Sequence, residues 1–421
     1  MSERLLFLQV LRSHTKLMNE LSLIDLFAGA GGMSLGFKRA GFSTVAAYDN
    51  WTPAVMTYRV NLGEEIFHKS ISSYLEVDTP SVIVGGPPCQ GFSSAGLRKD
   101  GDRRNSLIKE FSLLVARVKP TAFVFENVEG FLTASAGRFV LELLEPLIES
   151  GYQIHLRKIN AANYGVPQHR KRVIAIGGLG WAPSFPEPTH SAYGAPGAHR
   201  IRSNSELLTP TVFDALSGLP PASPHENGLV TDHTIPSMNA EDIERSQLLL
   251  PGQSMRDLPK SMWHKSYERR AFRRVMDGTP SDRRGGAPAG IRRLRGDEPS
   301  KAITSGSQHE FLHPTENRPL TIRECAVLQT FPTDFIFAGS AVEKLQLIGN
   351  AVPPLLSEQI AKSLALDLRR ADRFENEGGK LLSFVATHAS GLSPALAQVV
   401  DLINERFGLV AHQPSFELEW V

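Results

Sequence analysis

An apolar run at Leu21–Phe27 breaks into glycine-rich sequence, Ala28-Gly29-Ala30-Gly31-Gly32, and then into a helix-like stretch at Met33–Ala40. Few architectures use such a strand, tight turn and helix in succession. The glycines let the backbone turn sharply and approach a ligand closely. The helix that follows turns free N–H groups and the positive end of its dipole toward whatever lies in the turn. The alternation continues, with strand-like runs at Thr44–Tyr48, Val82–Val84, Ala122–Phe125, Tyr152–Ile159 and Val173–Ile176 and helical periodicity at Ser106–Val118 and Phe139–Ile148. Residues 1–180 are therefore expected to form an α/β unit on a mostly parallel sheet covered on both faces.

The texture changes after Gly178. Residues 181–300 are rich in Pro, Gly, Ser and Arg and weakly periodic, which predicts a second, loop-rich domain over 181–335. Helical signals return at Thr321–Gln329 and Pro354–Arg370, and 336–375 is expected to fold back onto the first domain. Glu375–Lys380 reads as a linker, and 376–421 as a C-terminal extension without an assigned role. Two cysteines, Cys89 and Cys325, make neither a disulfide framework nor a zinc site. The expected compartment is the reducing cytoplasm, and no apolar run approaches the ~20 residues that cross a bilayer.

Four groups of residues carry chemistry. Asp49 closes the second strand at the offset where such folds place an acid on ribose hydroxyls. The dinucleotide fingerprint fails at Ser34, so the turn suits an adenosine-type cofactor other than a dinucleotide. Gly85-Gly86-Pro87-Pro88-Cys89-Gln90-Gly91-Phe92-Ser93 follows a buried-type strand and puts a thiol on a stiff loop, a candidate nucleophile. A free thiol has a pKa of about 8.5, and nearby Arg170 and Arg172 are candidates to favour its thiolate. Glu126 ends an apolar strand, where burial raises a carboxyl pKa and suits it to share a proton with a ring nitrogen. Arg170 and Arg172, two apart on a strand, share a face. Cys325, on the apolar side of a helix, reads as a core filler.

Asp25–Gly36, Gly86–Ser93, Glu126–Val128, Gln168-x-Arg170-x-Arg172 and Gly349-Asn350-Ala351-Val352 preceded by Gln346 occur in this order, with Asp102–Leu107 and Arg318–Glu324 between them. Together they closely resemble the sequential motifs of DNA (cytosine-5) methyltransferases of the bacterial restriction-modification type, over residues 22–180 and 300–365. The resemblance implies a Rossmann-like, S-adenosylmethionine-dependent methyltransferase fold with a smaller target-recognition domain. It implies S-adenosylmethionine over Phe27, Gly29 and Gly31, with Asp49 on the ribose and Pro87, Leu107, Asn350 and Val352 lining the pocket. Cys89 would add to carbon 6 of a cytosine flipped out of the duplex. Glu126 would hold the ring-nitrogen proton, and Arg172, with Arg170 beside it, would meet the base carbonyl. The sequence departs from the family at Asn50, where a large side chain is common, and at Ser70, where an Asp usually meets the adenine amine.

The whole chain carries 45 Lys and Arg against 44 Asp and Glu, a net charge of +1, which by itself points to no polyanion. Residues 253–301, however, hold 13 basic and 6 acidic residues, a local charge of +7. In the family this stretch reads the target, so Arg283, Arg284, Arg292, Arg293 and Arg295 are the expected DNA contacts. The expected partners are double-stranded DNA and a cognate restriction endonuclease encoded nearby, with the enzyme itself a monomer away from membranes. A tRNA-methylating relative shares the chemistry, but the size and basicity of 181–300 oppose it. A silent DNA-binding relative is opposed by Cys89, Glu126 and Arg172.

Overall fold

Short apolar runs bounded by Gly, Pro or acidic residues become strands in the computed structural model, which describes residues 21–88, 106–194, 207–226, 228, 230–271, 290–370, 378–386 and 394–408. These strands are β1 (Leu21–Leu26), β2 (Phe42–Asp49), β3 (Ile66–His68), β4 (Val82–Gly85), β5 (Ala122–Val128), β6 (Tyr152–Asn160), β7 (Lys171–Leu179) and β8 (Lys380–Val385). They make one sheet in the order β8-β6-β7-β5-β4-β1-β2-β3. All neighbours are parallel except β7, which runs against β5 and β6. The helices used below are α1 (Gly32–Arg39), α2 (Thr52–Leu62), α3 (Ser106–Val118), α4 (Arg138–Glu149), α5 (Ala240–Leu248), α6 (Lys265–Ala271), α7 (Ile322–Leu328), α8 (Ala341–Asn350), α9 (Pro354–Leu368) and α10 (Pro394–Phe407).

Alternate residues of each central strand feed opposite cores, as a two-faced sheet requires. Ile83, Phe123 and Phe125 join Phe111 of α3 and Leu143 of α4 on one side. Val82, Val84, Ala122 and Val124 join Phe37 of α1 and Leu356, Ile360 and Leu364 of α9 on the other. The return of α9 onto the first domain is thus a packed interface. A Cβ on Gly36 of α1 would lie 2.5 Å from Ser357 Cβ and 2.6 Å from the Glu358 nitrogen and the Pro354 carbonyl. A Cβ on Gly32 would strike the Val352 carbonyl. Glycine at both positions lets the two backbones touch.

The loop-rich segment has a small core of its own, with Leu249, Met255, Leu258, Tyr267, Ile291 and Leu312. A larger cluster ties its base to the sheet domain. It runs from Ala30 and Ala54 through Leu294, Ile303 and the Phe331–Phe335–Phe337 trio to Leu345 and Ile348. Cys325 is buried here, and burial pushes its thiol far above the usual range. No described helix is long and apolar enough to cross a membrane.

Candidate active site

In a parallel sheet the carboxyl ends of the strands share one edge, and ligands bind there. At that edge β1 enters its turn through Phe27, at φ 61, and Gly29, at φ 56. A positive φ on Phe costs strain that the surroundings must over-determine. They do so with three hydrogen bonds. Ala28 N–H donates to the Tyr48 carbonyl (3.0 Å), Gly31 N–H to the Ala28 carbonyl (2.8 Å), and Gly29 N–H to Asp49 Oδ2 (2.8 Å). Asp49 also accepts from Trp51 N–H at 2.9 Å. Burial pushes its pKa up, and the backbone donors oppose that rise.

The three turn glycines have different work. Among the described residues, a Cβ on Gly29 would meet nothing nearer than the Phe27 carbonyl at 4.0 Å, so they leave this backbone open. A Cβ on Gly31 would instead strike Leu62 and Tyr58, so Gly31 serves close packing. Gly32 packs against Val352, which brings Val352 and Asn350, at the end of α8, to the turn. Leu107 is half-buried in the first turn of α3. The large side chain missing at Asn50 stands one residue on, at Trp51, whose ring packs against the cluster around Phe331. Ser70 is exposed.

One strand over, β4 leads into Gly86 and the buried Pro87. A Cβ on Gly86 would sit 3.1 Å from Glu126 Oε2, so the missing side chain leaves room for that carboxylate. Asn127 Nδ2 donates to the Pro87 carbonyl at 3.3 Å, joining the two strand ends. Cys89, two residues past Pro87, lies outside the described residues. Val128 of β5 pairs with Arg172 of antiparallel β7, which sets Arg172 diagonal to Glu126 on the sheet. Arg172 Nε and Glu126 Oε1 are 2.6 Å apart, with both side chains largely buried. Burial raises the Glu126 pKa, and the charges of Arg172 and Arg170 pull against it.

The family model of C-5 cytosine-specific DNA methylases matches residues 21–365. The chain belongs to that family. The Type II methyltransferase M1.HphI of Haemophilus parahaemolyticus is 34% identical over 359 residues, 82% of this chain and 86% of its own. M.NgoFVII of Neisseria gonorrhoeae is 35% identical over 363 residues, 82% of this chain and 87% of its own. A solved E. coli structure, named as a DNA modification methyltransferase encoded within a prophage, shares the fold. Its TM-score is 0.62 at 24% identity, covering 83% of this chain and all of that one. The protein is thus a DNA (cytosine-5)-methyltransferase, and the mostly parallel sheet is the one its motifs implied.

Within this methyltransferase, two expected site residues turn out to be scaffold. Arg170 is 1% exposed, and its guanidinium donates to the carbonyls of Ile303 (2.6 Å), Gly349 (2.6 Å) and Ala351 (3.1 Å). It shares a strand with Arg172, but those acceptors hold it on the return segment. Its charge still acts on Glu126, pulling against the rise that burial causes. Gln168 is its companion, donating to the Leu328 carbonyl and Gln329 Oε1 and accepting from Ile303 N–H. Arg293, expected on DNA, is 3% exposed and donates to the carbonyls of Leu249, Ser246, His313 and Glu316 and to Asn317 Oδ1. It staples the loop-rich domain together and has no face for DNA.

The other expected DNA contacts divide differently. Arg295 is about half exposed and pairs with Asp297 and Glu298. Arg292 is half-buried, with Nε enclosed and unpartnered, and its charge acts on Lys301 and Glu310. Arg283 and Arg284 lie outside the described residues. Below the Ala28–Gly32 turn is a group the sequence did not single out. Ser34 Oγ donates to Asp25 Oδ2 (2.6 Å) and accepts from Tyr58 O–H (2.8 Å). The serine that breaks the dinucleotide fingerprint is therefore the hinge of a buried polar chain, and polar Ser34 on an otherwise buried helix face was its signal.

Proposed function

We propose that the protein transfers a methyl group to carbon 5 of a flipped-out cytosine in a specific duplex site, as the protecting half of a restriction-modification pair. The observation that carries this is the buried Glu126–Arg172 pair, set beside the Pro87 loop that leads to Cys89 and near the open turn at Gly29 and Asp49. The turn suits S-adenosylmethionine. The described residues leave the space above Gly29 open, and Asp49 is an anchored acceptor for ribose hydroxyls. Phe27, Pro87, Leu107, Asn350 and Val352 would complete the pocket. When bound, the cofactor supplies an electrophilic methyl group.

The protein's own residues then have separate tasks. Cys89 adds as thiolate to carbon 6, which makes carbon 5 electron-rich. Glu126, with its pKa raised by burial, shares a proton with the ring nitrogen. Arg172 donates to the base carbonyl, where negative charge grows. Loss of the carbon 5 proton and then of the thiolate restores the aromatic ring. Base flipping is required because none of these groups reaches a stacked cytosine. The relatives named as Type II methyltransferases support the restriction-modification reading. Arg283, Arg284, Arg292 and Arg295 are the proposed DNA contacts.

Sequencing that reads 5-methylcytosine, on DNA from cells expressing the protein, tests the site-specific reading. One short recurring methylated sequence is expected; an absent or random pattern overturns it. A 5-fluorocytosine duplex should trap a covalent adduct that Cys89→Ser abolishes, and failure of the unmutated protein to form one removes the proposed chemistry.

A further inference from the structure

The family match ends at residue 365, yet described structure continues beyond it. Strand β8 pairs in parallel with β6, from Lys380 opposite Gln153 to Val385 opposite Arg157. Gly379 passes so close to the Ile148 carbonyl that no Cβ fits there, which fixes the chain at the end of α4. Ser383 Oγ lies 2.7 Å from His155 Nδ1 and accepts from Arg157 Nε at 3.1 Å, while the Arg157 guanidinium lies over the Phe185 ring. Helix α10 then crosses back. Its Val399 and Ile403 are fully buried, in the same core as Phe125, Phe131, Leu132 and Phe139.

What this unit presses on is the continuation of the catalytic strand. After Glu126, β5 runs into two helical turns, Glu129–Phe131 and Ala134–Gly137. Ser135 and Ala136 sit there at φ 46 and 53, and Gly137 at φ 87. Such a backbone persists only where its surroundings hold it. A Cβ on Gly137 would lie 3.1 Å from Val399 and 3.4 Å from Leu402, so α10 is seated directly on this bend. Phe131 packs at 5.4 Å between ring centroids on Phe125, the residue before Glu126. Lys158 of β6, a strand that β8 flanks, pairs with Glu129. One packed core therefore joins α10 to Phe131 and Phe125, and the strand backbone carries that contact one residue on to Glu126.

We propose that residues 378–386 and 394–408 buttress the catalytic strand end, holding the 129–137 bend so that Glu126 stays aligned with Arg172 and the base. This makes Val399 and Ile403 positioning residues for methyl transfer. It rests on the role given above to Glu126. The test is Val399→Ala/Ile403→Ala in the full chain, assayed where circular dichroism shows it fully folded.

A loss of about tenfold to a hundredfold in kcat is expected, the scale of a misplaced reacting group. The KM for duplex and the Kd for S-adenosylmethionine should move by less than about twofold, since binding groups are untouched. The kcat profile should also shift to higher pH, because the Arg172 charge that lowers the Glu126 pKa is no longer held against it. Gly137→Ala, which pushes on Val399 and Leu402 from the other side, should show the same split. An unchanged kcat, or a fall that only tracks the folded fraction with an unmoved pH profile, overturns the proposal. Glu126→Gln is run alongside. If it is slow while the buttress variants are not, only the buttress fails; if it is not slow, the role of Glu126 itself is wrong.

Discussion

Asp25 is 1% exposed, and its carboxyl is pushed up to about 7, chiefly by burial, with the hydrogen bonds from Ser34 opposing. An unfolded Asp titrates near 3.9. The folded chain therefore keeps this proton over a window in which the unfolded chain has lost it. The contribution to stability is fully present below the unfolded pKa and disappears as pH rises through about 7. At about 1.4 kcal/mol per unit, the window is worth on the order of 4 kcal/mol. Asp25→Asn cannot ionise and still accepts from Ser34. Its stability relative to the unmutated protein, read by urea unfolding, should grow by about 3 kcal/mol between about pH 4 and pH 7 and level off above that; a flat difference across this window would mean that Asp25 does not titrate there. Glu126 belongs to the same scale. Glu126→Gln keeps the shape but cannot share a proton, so methyl transfer should slow by about a hundredfold or more with duplex affinity nearly unchanged. A large loss of DNA affinity instead would make Glu126 a binding or structural residue.

At the scale of elements, α1 and α9 decide whether the turn at Ala28–Gly32 holds its shape. Gly36 sits mid-helix, where Ala is normally better by about 1 kcal/mol. Here the added methyl would press on two backbone atoms of α9, which cannot swing aside as a side-chain tip does. Overpacking of this kind costs about 1–3 kcal/mol. Gly36→Ala should therefore be net destabilising in urea unfolding and should raise the KM for S-adenosylmethionine; a more stable variant would show that the contact is loose. Here, too, lies the boundary of what the sequence made legible. Local signals gave α3 at Ser106–Val118, and β5 ran only three residues beyond its expected end. The glycines around the start of α1 were legible as a ligand turn, whereas the reasons for Gly32 and Gly36 lie some 320 residues along the chain, at Val352 and on α9. Strand β8 was hidden for a related reason. Six residues, Lys-Leu-Leu-Ser-Phe-Val, carry too little pattern to announce a strand whose partner is β6. Arg293 was misread because sequence shows a charge but not the four carbonyls around it.

Across the whole molecule, a near-neutral total conceals a basic stretch at +7 over residues 253–301, which leaves −6 for the rest of the chain. Such a balance limits non-specific adhesion and suits the local patch to the phosphate contacts proposed for it. The basic residues of that patch nevertheless differ in kind, and Arg293 and Arg295 can be separated by experiment. Truncating Arg293 would strip donors from enclosed carbonyls at both ends of the loop-rich core. Leaving a buried acceptor without its donor costs about 1–3 kcal/mol. Arg293→Ala should thus lower unfolding stability by at least that much and weaken binding to every duplex alike, because the loop-rich segment around it loosens. Arg295 is exposed, and surface ion pairs contribute about 0–1 kcal/mol. Arg295→Ala should leave stability almost unchanged and reduce the slope of log affinity against log salt by about 0.9, the loss of one phosphate contact. Urea unfolding and salt-titrated duplex binding on the two variants provide both readings. A stable Arg293→Ala with a reduced salt slope would reverse the assignment and put Arg293 on the DNA.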